Sequence, residues 1–198
     1  HHRCASSARL AEHCAAAPGS PKSAFLAYMV PEGQLHIFNF DRTVKGFNGL
    51  SEEGFWDRLH AIGRLWPLPD GPGIPEKGSV EIYARGGWHG FAFPAQRSGQ
   101  PAESLDAARL SSSVLAPVLG IADLRTDQRV RFVPGTQGTN ALEHPVDTGL
   151  ADVAFHLRAV TFAELRSVAD HHASMPPKST WIEPKLRSGL TIYSLDDH

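Results

Sequence analysis

The chain has 198 residues, 41% of them hydrophobic and 20% charged, with a formal net charge of −2. That length can bury a core without disulfide staples, and the balance excludes the strong basic excess of a nucleic-acid-binding domain. No run of about 18 apolar residues is present, and no basic-then-apolar leader opens the sequence, so neither a membrane nor an export route is expected.

Residues 4–17 are Ala-rich and predict a helix, closed by Pro18-Gly19-Ser20-Pro21. Both cysteines, Cys4 and Cys14, fall in it. Ten helical residues rise about 15 Å, whereas a disulfide needs Cα atoms within about 7 Å. The two are therefore expected to be free, buried fillers, which suits the cytoplasm. Ala24–Val30 and Gln34–Phe40 read as a hairpin across Pro31-Glu32-Gly33, the first strand buried on both faces. Asp41–Leu50 reads as a loop. Ser51 should N-cap a helix with Glu52 and Glu53 in its first turn and Phe55, Leu59, Ile62 and Leu65 toward the core.

Pro67–Gly78 is a Pro/Gly-rich connection and a candidate boundary. Val80–Ala84 and Trp88–Phe93 predict a second hairpin around Arg85-Gly86-Gly87. Ser104 should open a helix through Leu105, Leu110, Val114, Leu115 and Leu119, with Pro117 kinking its last turn and Gly120 ending it. A strand follows at Arg129–Val133, a helix at Thr139–Leu150 and a strand at Asp152–Leu157. Thr161-Phe162-Ala163-Glu164 fits a capping box, with a helix to about His171, and a last strand runs to about Leu195. The pattern predicts an α+β fold: a mixed sheet built from hairpins, with helices packed on one side. Segments 1–94 and 95–198 are expected to form one compact unit.

The chemistry-bearing candidates sit near the two ends. Lys178 supplies a point charge and Ser179 and Thr180 supply hydroxyls, a set that suits phosphate or carboxylate. The Gly-rich cradle of a Walker A loop is missing, and the plain alternative is a solvated Lys after a proline turn. Lys185 and Arg187 add positive charge nearby. His1, His2 and Arg3 open the first helix, where free N–H groups and the dipole favour anions; a frayed terminus or tag residues are the alternative. Arg42 and Asn48 are polar residues in the Asp41–Leu50 stretch, and Asn48-Gly49 also suits a simple turn. Eleven His invite a metal reading, but no metal-binding spacing is present and no metal site is expected.

The closing stretch Met175-Pro-Pro-Lys-Ser-Thr-Trp-Ile-Glu-Pro-Lys-Leu-Arg-Ser-Gly-Leu190 resembles the final motif of the domain-of-unknown-function 1015 family. Leu115-Ala-Pro-Val-Leu-Gly120, Asp147-Thr-Gly149 with Val153-Ala-Phe155, Arg42 and Asn48-Gly49-Leu50 are similar to other stretches of that family. His1-His2-Arg3 resembles the end of its Asp-Gly-His-His-Arg motif. Family members are usually about twice as long, so the resemblance implies the C-terminal half only, with the missing N-terminal half or a second chain as a partner. It also implies relation to ParB/sulfiredoxin-fold free-serine kinases. On that resemblance His1, His2 and Arg3 would contact nucleotide phosphate, and Lys178, Ser179 and Thr180 would hold serine or its phosphorylated product. Arg42, Asn48 and Lys185 are possible additions. ATP or ADP with Mg is the implied cofactor. The expected function is part of a kinase-like phosphotransferase acting on a small hydroxyl substrate such as free serine, inactive alone, with the basic clusters of both ends gathered on one anion. The alternative is a non-catalytic nucleotide- or protein-binding regulatory module of ParB-like ancestry. A small-molecule substrate is expected, with no nucleic acid, no membrane and a cytoplasmic location.

Overall fold

A computed structural model describes residues 2–95, 99–185, 187 and 189–196. The chain divides into two units, one formed by His1–Leu35 with Pro184–His198 and the other by His36–Glu183.

In the first unit, α1 spans His2–His13. Cys4 and Cys14 are free, as expected, but both are exposed rather than buried. Where side chains of α1 are described, none is buried, so there is no core there for them to fill. Ala24–Val30 is not a strand. It has no ladder partner among the described residues, and Phe25, Leu26, Tyr28 and Met29 are exposed. An apolar run becomes a strand only when a neighbour takes its N–H and C=O groups. No strand forms among the described residues 189–196 either.

The second unit is built on a six-stranded sheet ordered β3-β5-β4-β7-β2-β6. Its strands are β2 (Phe40–Val44), β3 (Arg64–Pro67), β4 (Ser79–Ala84), β5 (Gly87–Ala92), β6 (Val130–Pro134) and β7 (Val153–His156). All described pairings are antiparallel, and Arg42 of β2 stands between Phe132 of β6 and Phe155 of β7. A separate ribbon pairs β1 (His36–Phe38) with β8 (Trp181–Glu183). The Arg85-Gly86 turn closes the β4–β5 hairpin as the sequence predicts. Asp41–Leu50 is not all loop: its first four residues belong to β2, every residue of which is buried.

Alternation gives the sheet two faces. Val44, Val80, Ile82, Phe91, Val153 and Phe155 pack against Phe55 and Leu59 of α2 (Glu52–Ile62) and Ala107 and Leu110 of α3 (Asp106–Leu110). α3 runs into a π-helical turn at Ser111–Leu115, and Val114, Leu115 and Leu119 complete that core. The other face packs Trp88, Val133 and Ala154 against Leu142 and Val146 of α4 (Asn140–Asp147). Helices therefore cover both faces, because the second face of the central strands also carries apolar residues. No described helix is long and apolar enough to cross a membrane.

The local start signals hold. Gly54 N donates to Ser51 Oγ at 3.1 Å, capping α2. Before α5 (Phe162–Asp170), Glu164 N donates to Thr161 Oγ1 at 3.2 Å and Thr161 N donates back to Glu164 Oε2 at 2.9 Å. Thr161→Ala should therefore cost about 1 kcal/mol, read as a lower urea midpoint at unchanged slope; an unchanged midpoint would contradict this role.

Candidate functional site

The segment Pro176–Thr180 passes beside β2 and β6, with Lys178 next to Phe40 and with Pro177 and Lys178 sharing a cleft with Val130 and Phe132. Lys178 adopts a left-handed backbone, φ 54°, uncommon for a residue with a side chain. Its ammonium is exposed and lies 5.5 Å from the centre of the Phe40 ring, a cation–π distance. Phe40 in turn packs on Phe132 and Trp181, each at 5.6 Å between ring centres. Pro177 and Lys178 border a cleft of about 510 Å³ whose other walls include Leu124, Arg125, Val130 and Phe132. A second cleft of about 720 Å³ adjoins it, sharing Leu124, Arg125 and Pro177 and reaching Ser111 and Ser112 at the π-helical turn. Such turns recur at functional sites. The combination is a largely apolar hollow with Lys178, Arg125 and Asp127 at its rim, and its volume is in the range of small-molecule sites.

The carboxylates beside the cleft are engaged. Asp123 pairs with Arg125 at 3.1 Å and Asp127 with Arg129 at 2.7 Å. In each pair the hydrogen bond to arginine holds the carboxyl below its ordinary range.

The other sequence candidates divide. Ser179 is buried, and its hydroxyl donates to Pro176 O at 2.8 Å. It faces a water-sized cavity beside Asp106, Arg158 and Glu164. Burial raises the Asp106 pKa against the opposing Gly78 N–H and Arg158. For Glu164, burial is outweighed by Lys77, Thr161 and Arg158, which hold it down at about 2. Thr180 is half-buried. Asn48 donates Nδ2 to Val118 O at 3.4 Å. It packs against Gly120, where a Cβ would stand 2.8 Å from the Asn48 amide oxygen and φ is +66°. Asn48 thus closes the end of the helical run. Lys185 is exposed and belongs to the other unit. His1 lies outside the described residues, as do the side chains of His2 and Arg3, and with them the expected meeting of the two ends. Among the described residues no group of three or more His, Cys, Asp or Glu could hold a metal.

Two buried features of β2 were not legible in the sequence: the burial of Arg42, which the resemblance offers only as a possible addition to the site, and the pairing of Asp41. Arg42 is fully buried, and its Nη1 donates to Phe40 O at 3.2 Å. Burial lowers its pKa to about 10 against the opposing charge of Asp41, so it is protonated at neutral pH. On the opposite face of β2, Asp41 accepts from Asn39 Nδ2 at 2.7 Å and Leu157 N at 2.9 Å, and lies 2.9 Å from His156 Nδ1. No local spacing announces the Asp41–His156 pair, which spans 115 residues.

A family model described as "Protein of unknown function (DUF1015)" matches residues 1–108. No curated protein matches. Among solved structures, a free serine kinase in complex with AMP is similar at 14% identity and a TM-score of 0.47, over 76% of this chain and 55% of that one. A conserved hypothetical protein from Pyrococcus furiosus is similar at 16% identity and a TM-score of 0.47, over 76% and 57%. A mutant free serine kinase in complex with ADP is similar at 16% identity and a TM-score of 0.47, over 81% and 58%. The chain thus spans a little over half the length of each.

Proposed function

The chain belongs to the DUF1015 family of proteins of unknown function, and from that premise we propose that it forms part of a kinase-like phosphotransferase acting on a small hydroxyl substrate such as free serine. The observation that carries this reading is the cleft at Pro177-Lys178, where an ammonium on an aromatic ring stands beside an apolar hollow large enough for a small phosphorylated molecule. Phosphoryl transfer depends mainly on positioning and charge stabilisation. In this reading Lys178 holds the phosphate of the substrate's product, Thr180 adds a hydroxyl and Ser179 braces the loop from inside. His1, His2 and Arg3 would meet the phosphates of ATP or ADP. The described residues suit a nucleotide phosphate better than a protein-held magnesium ion, since Asp123 and Asp127 are already paired. Magnesium would arrive with the nucleotide, as it does when phosphates supply most of its ligands.

That engagement of both cleft carboxylates favours a second reading, a module that binds nucleotide or a regulatory partner without catalysing. Calorimetry with ADP and O-phosphoserine tests both. Binding of at least one is expected, weakened ten- to a hundredfold by Lys178→Ala, the scale of one charge-assisted hydrogen bond. Absence of heat with either would contradict the cleft as a phosphate site. A coupled assay for ADP release from ATP and serine should show no turnover by this chain alone; robust turnover would overturn the expectation that it is inactive.

A further inference from the structure

We infer that Arg42 is the inner anchor of the cleft, a buried fork that takes an oxyanion group of the bound ligand. The inference rests on the cleft being the ligand site and names what lies behind its aromatic wall.

Arg42 has no surface exposure. Its Nη1 is used by Phe40 O, but its Nε and Nη2 have no hydrogen-bond partner among the described residues. Those two nitrogens form the side-on edge of the guanidinium, the pair of parallel N–H groups that binds carboxylate or phosphate bidentately. No ion pair among the described residues involves Arg42. Its chain neighbour Asp41 points to the other face of the sheet and is occupied by His156, Asn39 and Leu157 N. A buried cation in that state is expected to have a counter-ion that arrives from outside. The guanidinium packs on the ring of Phe132 at 5.6 Å, and Phe132 is also a wall of the cleft. Lys178 flanks the same aromatic pair from the rim, over Phe40. A rotation of the Phe132 ring would join the two cations around one ligand. Arg42 would take the oxyanion at depth, and Lys178 would take charge at the mouth.

The test compares thermal unfolding of wild type and Arg42→Met in chloride, then with inorganic phosphate, acetate, O-phosphoserine or ADP at matched ionic strength. In chloride Arg42→Met should unfold at a higher temperature than wild type, because it removes an unpaired buried charge while keeping the volume. Phosphate, acetate or O-phosphoserine should raise the wild-type midpoint by several degrees and leave Arg42→Met unmoved. The anion that acts most strongly assigns the group as phosphate or carboxylate. A lower midpoint for Arg42→Met, together with equal anion effects on both proteins, would overturn the inference. If Arg42→Met fails to fold, the Nε–Hε resonance of Arg42 in wild type, assigned with Arg42→Lys, decides. It should move on titration with the active anion, and invariance to all four would overturn the inference. A response to inorganic phosphate or acetate without any binding of ADP or O-phosphoserine would keep the anchor and sink the kinase reading. Calorimetric binding of ADP or O-phosphoserine that leaves the Arg42 resonance still would do the reverse.

Discussion

Asp41→Ala is expected to destabilise the protein by about 3 kcal/mol, the scale seen when one partner of a buried, hydrogen-bonded charge pair is removed. The carboxylate is almost fully buried and serves Leu157 N, Asn39 and His156 at once, so its loss leaves a backbone N–H and an amide without an acceptor. The variant should also change the pH dependence. Burial alone would lower the His156 pKa, but the hydrogen bond and charge of Asp41, then the charge of Glu81 and the Gly73 backbone, outweigh it and raise it. A histidine whose folded pKa is raised contributes its stability fully below its unfolded value of about 6.5 and loses it as pH rises through the folded value. Wild type should therefore lose stability on going from pH 6 to pH 8 by this route, and Asp41→Ala should show a flatter profile. Urea unfolding at both pH values measures it. A loss under about 1 kcal/mol, well short of the buried-pair scale, or an unchanged slope, would mean that the pair is not the tie across β2 and β7.

Phe155→Ala should cost about 3–5 kcal/mol, the range for deleting a buried aromatic ring. Phe155 is fully buried in β7, stands opposite Arg42 in one register and Ile82 in the other, and faces the core beneath α2 and α3. The hole would open across the register from Arg42. A fall in the urea midpoint at constant slope is the expected signature; a cost near that of a surface change, below about 0.5 kcal/mol, would contradict the packing described.

The parts of this fold written in local chemistry were legible from sequence: the Ser51 and Thr161 caps, the Arg85-Gly86 turn and the apolar spacing of Phe55 and Leu59. β2 was not. Phe40-Asp41-Arg42-Thr43-Val44 places three polar residues in a central strand, and Asp is depleted in strands. What makes the segment a strand is its partners β6 and β7, about 90 and 110 residues later, a separation that alternation rules cannot see. The same blindness misread Ala24–Val30, whose apolar run promised a strand that has no partner among the described residues. Of the candidate site, Lys178 was singled out because a Lys beside two hydroxyls after a proline turn is a local pattern. Arg42 was visible as a polar loop residue and, through the family resemblance, as a possible addition to the site; its burial was not, since that follows from β6 and β7 pairing on either side of it and from Phe132 packing on its guanidinium.

The most direct measurement is a crystal structure of the protein grown with O-phosphoserine or ADP. Ligand phosphate within hydrogen-bond distance of Lys178 Nζ, in the hollow walled by Phe132 and Val130, is the predicted result. A phosphate bound elsewhere, with Lys178 pointing into solvent and the hollow empty, would contradict it.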